Sequence, residues 1–361
     1  MKRCGAVVLL LSMLITGCAK EEDHILTDVP DHIKKNIHDM VSVDAAIYPK
    51  PQNMPYSTYR MKTKNKYDVD SLNQYFFDAE CPNINLNEDT PKKGVYELSM
   101  RGNGKRLYIN GYFIYSTDYY DEKFSLIEML KAEGMGFIPI EFDQYPTVEE
   151  LDSFSREEAM RKAEEALKMI EYVYAPDPVI CEGITPDCLE PIKNSPEYQE
   201  YYKTYNQKPP EYTKDDEFYY MVYQPQIDGN KLSLDNYRKD ITNLPSSSEY
   251  GSYAVVCVGK SGIYNISTRY NYQMLPDSAS EPEKVISFED AFSKITEYLD
   301  RFIFKNKVTI QKISFEYLAV RQTDGTVIAT PAWIAYAEEA KEPRYGMLVL
   351  IDALTGEYIL Q

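Results

Sequence analysis

The stretch SREEAMRKAEEALKMI, residues 155–170, has the apolar spacing of an amphipathic helix. Ser155 is placed to cap the helix start while Glu158 reaches back to it, which is the capping-box arrangement. Its apolar stripe repeats at helical spacing and consists of Ala159, Ala163, Ala166, Leu167 and Ile170. This stripe predicts a helix laid on a larger apolar surface.

A second stretch, SFEDAFSKITEYLDRF at residues 287–302, repeats the pattern, with Ser287 and Asp290 at the capping positions. Its stripe consists of Ala291, Phe292, Ile295, Tyr298, Leu299 and Phe302. Strand-like runs follow each helix, and Asp228-Gly229 and Asp324-Gly325 are hairpin signals between them. The repeat predicts an α+β fold with tandem units, each a helix packed on an antiparallel β-meander.

The repeat also divides the chain. We expect a lipoprotein signal peptide at 1–17, a lipid-anchored tether at 18–40, an N-terminal β-rich region at 41–150, a first unit at 151–280 and a second unit at 281–361. The first unit contains an insert, residues 172–214, which is rich in Tyr, Pro and Glu and is expected to be irregular with one or two helical turns.

Local signals in the N-terminal region predict several elements. DVDSLNQYFFDAE is expected to form a short helix with Asp68 or Asp70 near its N-cap. Asn103-Gly104 and Asn110-Gly111 both suit type I′ turns. The strand between them would be very short, so we expect one of the two pairs to be a bulge.

The N-terminus has the pattern of a bacterial lipoprotein. Lys2 and Arg3 precede an apolar run, residues 6–16, which is too short for a membrane-spanning helix of about 20 residues. The run ends at Ile15-Thr16-Gly17-Cys18, which resembles the lipobox. That resemblance implies cleavage between Gly17 and Cys18 and a diacylglyceryl anchor on Cys18, which places the protein on the outer face of the cell membrane. The alternative is an ordinary signal peptide with a chance cysteine.

The net charge excludes one class of partner. Removal of residues 1–17 leaves 37 basic and 57 acidic residues, a net charge of −20. Such a chain is repelled by phosphate backbones, so nucleic acid is not an expected partner. Tyrosine is abundant, with 33 residues, and suits strands and half-buried binding surfaces.

The segment CEGITPDC places Cys181 and Cys188 at the two ends of a predicted loop. An exported protein permits a disulfide between them. Free thiols are the alternative, and a zinc site is a third that usually needs a second pair of ligands. We predict no metal site and no cofactor.

Catalytic motifs are weak. All three histidines, His24, His32 and His38, lie in the predicted tether, which leaves the folded body without an imidazole for a nucleophilic triad. The stretch VCVGKSG lacks the first glycine of a P-loop, because that position is Ala254, and is followed by a strand pattern. It predicts a hairpin and no nucleotide site. A chain with so many acidic residues also permits the hypothesis of a catalytic pair of carboxylates.

The C-terminal motifs resemble a known family. SFEDAF at a helix start and LIDALTGEYIL near residue 360 are similar to PepSY-type modules, and PAWIAYAEEA before the closing strands is similar to the extracellular YycH/YycI regulators and to Gram-positive Firmicute lipoproteins. The resemblance covers residues 285–361, with a fainter echo over 155–272. It implies an extracellular regulatory module without enzymatic activity. A lipobox replaces the membrane helix of those regulators, so coupling to a kinase through membrane helices is not implied.

These patterns support three hypotheses for function. The first is a non-catalytic, lipid-anchored module that contacts another envelope protein. The second is a lipoprotein that binds a peptide or glycan, using the tyrosine-rich insert. The third is a surface hydrolase with a carboxylate pair. Asp352, Thr355 and Gly356 are expected to form a structural turn, and Trp333 is expected to pack in or beside the core.

Overall fold

The computed structural model describes residues 29–64, 66–87, 97–124, 126–127, 145–234, 252–301, 303–304, 306–322, 324–339 and 342–359. Helices and two large β-sheets make up a mixed fold in which most strand pairs are antiparallel. Both sheets are built from strands that lie far apart in the chain. The predicted signal peptide, Gly17, Cys18 and Phe302 lie outside the described residues.

The larger sheet has eight strands, all antiparallel, in the order β4-β5-β6-β7-β13-β12-β9-β8. Its strands are β4 (Asn83–Asn87), β5 (Glu97–Gly102), β6 (Lys105–Ile109), β7 (Tyr112–Thr117), β8 (Ile180–Ile184), β9 (Phe218–Tyr223), β12 (Tyr253–Gly259) and β13 (Gly262–Arg269). Every residue of the central strands β9 and β12 is buried. Continuous apolar runs such as FYYMVY form strands of this kind because both of their faces are covered.

Helices cover both faces of this sheet. On one face lie α1 (Val69–Phe77) and α3 (Arg156–Met169), which share a core with Met221 and Val256. On the other lie α2 (Asp118–Lys123), α4 (Pro186–Lys193) and α5 (Pro196–Thr204), which share a core with Val222 and Val255. Side chains alternate along a strand, so neighbouring residues supply the two separate cores.

The predicted stripe of α3 is confirmed, since all five of its apolar residues are buried. Ser155 Oγ accepts a hydrogen bond from the Glu158 backbone N–H at 3.2 Å. The Glu158 carboxylate does not complete the predicted capping box, because it pairs with Lys162 Nζ at 2.9 Å. One half of the box is therefore enough to start this helix.

The second sheet has seven strands, in the order β1-β2-β15-β16-β3-β14, with β17 also paired to β16. Its strands are β1 (His32–His38), β2 (Val41–Ile47), β3 (Tyr59–Thr63), β14 (Tyr272–Ala279), β15 (Val308–Arg321), β16 (Val327–Glu339) and β17 (Glu342–Asp352). The pairing of β2 with β15 is parallel, so this sheet is mixed and not a simple meander. The short hairpin β10 (Gln226–Ile227) and β11 (Asn230–Lys231) forms a separate two-stranded sheet, and Ile227 packs in the core of the seven-stranded sheet.

The helix α6 (Phe288–Arg301) packs on the second sheet. Ala291, Ile295, Tyr298 and Leu299 are buried as predicted, and Phe292 is partly buried. Trp333 has no exposed surface, which confirms its place in the core. Its ring lies 5.5 Å from that of Phe288 and 5.3 Å from that of Phe315, so it joins the helix to the sheet.

The predicted N-terminal region does not form a unit of its own. Strands β2 and β3 join the seven-stranded sheet, whereas β4 to β7 extend the eight-stranded sheet. The predicted tether is also too long, because β1 begins at His32 and pairs with β2. Strand β1 looks like a tether in sequence because most of its residues are charged or polar, as is usual for an edge strand.

The insert at 172–214 is more regular than predicted. It supplies strand β8 and the helices α4 and α5, followed by a 3₁₀ turn at Lys214–Asp216. Both helices begin with proline after a capping residue, since the Thr185 hydroxyl caps α4 and the Ser195 hydroxyl caps α5. Proline was counted as a sign of irregular chain in the sequence, but here it begins helices.

Most predicted turns are confirmed. Asp68 is the N-cap of α1, and Asn103-Gly104 forms a tight hairpin turn with positive φ at both residues. Asn110-Gly111 also connects two strands, through a wider turn, so neither pair is a bulge inside a strand. The stretch VCVGKSG forms the predicted hairpin, with Gly259 opposite Gly262.

Candidate functional site

A cleft of about 370 Å³ lies beside the β12–β13 hairpin and is lined by α1 and α3 from one face of the eight-stranded sheet and by α2 from the other. Helix α1 supplies Tyr75 and Phe76 to its wall, and the β12–β13 hairpin supplies Tyr264. The Tyr264 ring lies directly over Gly259, where a Cβ would come within 2.4 Å of three of its atoms. The glycine of the GKS motif thus has a structural role, since it leaves room for an aromatic wall.

The floor of the cleft contains an unusual hydroxyl group. Tyr115 is 3% exposed and lines the cleft between Phe76 and the end of β7. Among the described residues its hydroxyl has no hydrogen-bond partner, and burial, followed by the charges of Asp78 and Tyr75, raises its pKa. The hydroxyl oxygen is not one of the fully buried, unpaired polar atoms of the described chain, so it is accessible from the cleft and can bond to a group bound there.

Two lysines, Lys105 and Lys162, line the same cleft. Lys105 Nζ lies 3.1 Å from Asp78, and Lys162 Nζ lies 2.9 Å from Glu158. The side chains of Lys105 and Lys162 are 28% and 24% exposed, whereas Asp78 is 79% and Glu158 is 47% exposed. Hydrogen bonding to Lys162 lowers the pKa of Glu158. Each ammonium has three donors and here uses one on a carboxylate, so both can also bind an anion in the cleft.

A buried carboxylate lies close to this cleft. Asp216 is 1% exposed and accepts hydrogen bonds from the Tyr119 hydroxyl, the Lys123 ammonium, and the Thr213 backbone N–H at 2.6 Å and hydroxyl at 2.9 Å. Burial acts to raise its pKa, but these hydrogen bonds outweigh that effect and lower it. Burial and the bond to Asp216 raise the pKa of Tyr119. With its oxygens occupied, Asp216 orients Tyr119 beside the cleft and is not positioned as a base.

A second depression, of about 400 Å³, lies at the other end of the sheet and includes Glu149, Glu182 and Arg156. It is the place in the described chain where the carboxylate-pair hypothesis applies most directly. Glu149 is 89% exposed and lies 3.6 Å from Arg156. A general acid for glycoside hydrolysis needs a raised pKa, which usually comes from burial, and Glu149 lacks that environment.

The outer edge of β4 is the other notable surface. Ile84 and Leu86 are 40% and 44% exposed, and Asn83 and Asn85 beside them are exposed as well. The strand pairs with β5 on its inner side, and no described strand pairs with its outer side. Neither a charge nor a proline occurs within Asn83–Asn87, although such residues usually protect an open edge.

The predicted Cys181–Cys188 disulfide is wrong. Both cysteines are free and buried. Cys181 is on β8 and belongs to the core under α3, whereas Cys188 is on α4 and belongs to the core on the opposite face of the same sheet. Burial raises the pKa of both thiols, that of Cys188 to about 12. No local pattern in the sequence indicates that a sheet separates the two residues.

The histidines and the C-terminal turn residues singled out in the sequence make local contacts within the fold. His32 Nε2 lies 3.0 Å from Asp44, and His38 Nδ1 accepts from the Met40 N–H, so both belong to the folded β1–β2 hairpin. Asp352 Oδ1 accepts hydrogen bonds from the Leu354 and Thr355 N–H groups, which confirms the predicted turn. In the described part of the chain, no group of three or more His, Cys, Asp or Glu could hold a metal ion.

Several tyrosines of the insert at 172–214 are core residues and are not available to a ligand. Tyr198, Tyr202 and Tyr212 are buried in the core around α4 and α5. The Tyr198 and Tyr212 hydroxyls bond to each other at 2.9 Å, and the Tyr212 hydroxyl donates to the Lys123 carbonyl. The cleft instead takes its tyrosines from α1, β7, α2 and β13, which no local sequence pattern brings together.

None of the described helices is both long and apolar enough to cross a membrane. A scan of protein-family models finds no match, and a search of curated proteins finds no relative. Among solved structures, the chain is similar to an uncharacterized protein from Eubacterium rectale ATCC 33656, with a TM-score of 0.61 and 17% sequence identity. The match covers 92% of this chain and 94% of that one, so the shared fold includes both sheets.

Proposed function

We propose that this protein is an exported, lipid-anchored and non-catalytic module that docks another protein at the cell envelope, with a regulatory role. The observation that carries the docking proposal is the open edge of β4. Its occupant would be an extended segment with alternate apolar residues, which adds to the sheet as a further strand.

The register of the sheet decides which backbone groups are free for such pairing. The tight turn at Asn103-Gly104 makes Gly102 and Lys105 a hydrogen-bonded pair. The N–H and C=O groups of successive residues point to opposite sides of a strand. The N–H and C=O groups of Arg101 and Ser99 therefore point towards β4. Their partners Asn83 and Asn85 face inward, so the N–H and C=O groups of Ile84 and Leu86 face outward.

Three of the other sheet edges are protected. Strand β1 carries Lys34 and Lys35, and β14 contains Pro276 beside a bulge with Asp277 at positive φ. Gly183 of β8 exchanges two backbone hydrogen bonds with Val148. Lysine, proline, bulges and covering segments are the usual means of blocking strand addition. The contrast supports β4 as the docking edge.

The lipid anchor is a separate part of the proposal and rests on the lipobox-like Ile15-Thr16-Gly17-Cys18. A Cys18→Ala variant should leave the membrane fraction and appear in the medium or as unprocessed precursor. Full membrane retention of the unlipidated variant would contradict the anchor, but would leave docking by β4 untouched.

The relation to PepSY-type modules is also proposed. Each sheet is covered by one long helix that begins after a capping serine, Ser155 or Ser287, and both helices bury an alanine-containing stripe. We infer from this likeness that the two helix-and-sheet units are tandem relatives of one another. Such modules fit a regulatory role, and the absence of histidine after residue 38 fits a non-catalytic one.

Site-specific photo-crosslinking on intact cells tests the docking edge. A photoreactive residue at position 86 should capture one recurrent envelope protein, whereas the same residue at Tyr205, which is 60% exposed on a helix end, should not. Leu86→Pro removes an outward N–H without removing a bond to β5, so the capture should be lost while the fold survives. Capture that is equal at positions 86 and 205, or unchanged by the proline, would refute the proposal.

A further inference from the structure

Two lysines line the cleft beside α1, although the protein as a whole is acidic. The chain has a formal net charge of −18, yet the described residues that line the cleft include Lys105 and Lys162 and no carboxylate. The carboxylates that pair with these lysines are largely exposed at the rim. An anion in the cleft would therefore meet two partly desolvated ammonium groups, where electrostatic attraction is stronger than in bulk water.

The walls of the cleft are aromatic. The Tyr75 and Phe76 rings pack edge to face at 4.8 Å on one side, and the Tyr119 and Tyr264 rings do so at 5.2 Å on the other. An aromatic face carries partial negative charge and attracts the weakly positive C–H groups of a saturated ring. A volume of about 370 Å³ suits one or two rings of this size.

The strands below the cleft disfavour a peptide. Strand β7 is paired with β6 and β13, and β13 is paired with β7 and β12. Their backbone groups are consumed within the sheet, so an extended peptide would find no ladder to join here. The free polar groups of the cleft are side-chain donors, namely the Tyr115 hydroxyl and the two ammonium groups, which suits a ligand rich in oxygen acceptors.

We propose that this cleft binds an acidic sugar, a pyranose ring that carries a carboxylate. Lys105 and Lys162 bind the carboxylate, the Tyr115 hydroxyl bonds to a ring oxygen, and the aromatic walls contact the C–H faces. This site is independent of the docking edge at β4, because the two surfaces use different strands and no common residue. Each can therefore fail without the other.

Two sugars that differ in one acidic group test the proposal. N-acetylmuramic acid is N-acetylglucosamine with an added lactyl ether that carries a carboxylate. In calorimetric titrations of the full chain, the acid should bind at least about tenfold more tightly, which corresponds to ~1.4 kcal/mol, and its affinity should fall as salt is added. Equal affinities, or no heat from either sugar up to about 10 mM, would overturn the proposal.

Two conservative variants place the ligand in the cleft. Tyr115→Phe removes the unpaired hydroxyl alone, and Lys162→Met removes the ammonium but keeps most of the side-chain stem. Each should weaken binding of N-acetylmuramic acid by about fivefold or more, with an unchanged thermal unfolding curve. Lys208→Met is the control, because Lys208 is 83% exposed and remote in sequence from the cleft residues. If both variants bind like the wild type, the cleft is not the site.

Discussion

The two sheets differ in which of their faces are covered by helices, and this difference explains which surfaces of the protein are accessible to a partner. Helices cover both faces of the eight-stranded sheet, and its cores include side chains from neighbouring residues of the same strand. The seven-stranded sheet has one long helix on one face and a small cluster around Leu318, Ile334 and Tyr336 on the other. The eight-stranded sheet therefore has little free face, and exposes an edge and a cleft instead.

The largest expected effect tests the single-helix cover of the seven-stranded sheet. Trp333→Ala should lower the free energy of unfolding by about 3–5 kcal/mol, because it empties the contact between α6 and β15. Tyr205→Ala, at an exposed position, should change it by no more than about 0.5 kcal/mol. Chemical denaturation measures both.

Hydrogen exchange sharpens this test. In Trp333→Ala the amides of α6 should lose protection first, whereas those of α3, on the other sheet, should keep theirs. Equal loss of protection in both helices would mean that the two sheets unfold as one unit, so that their different covers make no difference to local stability.

A smaller effect is expected at the second face of the eight-stranded sheet, where Asp216 ties α2 to the 3₁₀ turn. Asp216→Asn should cost roughly 2–3 kcal/mol near neutral pH, because the hydrogen bonds to charged groups are lost. The pKa of Asp216 is lowered in the folded state from 3.8. The wild type therefore keeps this stabilisation above that value and loses it as the pH falls through the lowered pKa.

The pH profile distinguishes this role from simple packing. The difference in stability between the wild type and Asp216→Asn should shrink as the pH falls below 3.8, since protonation of Asp216 removes the same interaction. Asp215→Asn changes an exposed neighbour and should follow the wild type throughout. A constant difference between wild type and Asp216→Asn down to pH 2 would contradict the ionic role.

The smallest effect is expected from reduction. Cys181 and Cys188 lie in cores on opposite faces of one sheet, so a reducing agent should shift the thermal midpoint by less than about 1 °C. After denaturation without reductant, Cys81, Cys181, Cys188 and Cys257 should all react as thiols. If mass analysis finds that two of these four thiols do not react, the protein contains a disulfide and this prediction is wrong.

Local signals in the sequence predicted local structure well. The serine caps, the alanine stripe of α3 and the Asn103-Gly104 turn depend on residues within a few positions of one another, and the structure confirms them. The strand β1 was missed because edge strands lack the alternating apolar pattern that identifies a strand. The split of the N-terminal region was missed because local signals do not specify which sheet a strand joins.

The cleft could not be predicted from local sequence signals either. Tyr75, Lys105, Tyr115, Lys162 and Tyr264 come from five elements, and no spacing along the chain relates them. The GKS stretch is similar to part of a phosphate-binding motif, but in the structure Gly259 leaves space for the Tyr264 ring. Abundant tyrosine indicated binding in general terms, but Tyr198, Tyr202 and Tyr212 of the insert are core residues.

The parallel pairing of β2 with β15 has a consequence for how the molecule is made. Val41 lies beside Val308, and Ile47 beside Ile313, so the seven-stranded sheet closes only after nearly the whole chain is present. Contacts this distant in sequence slow folding, because a long loop must close before they form. The last strand of the eight-stranded sheet ends at Arg269, so this sheet can assemble first during synthesis. Until β15 is made, the apolar residues of β2 have no partner strand to cover them.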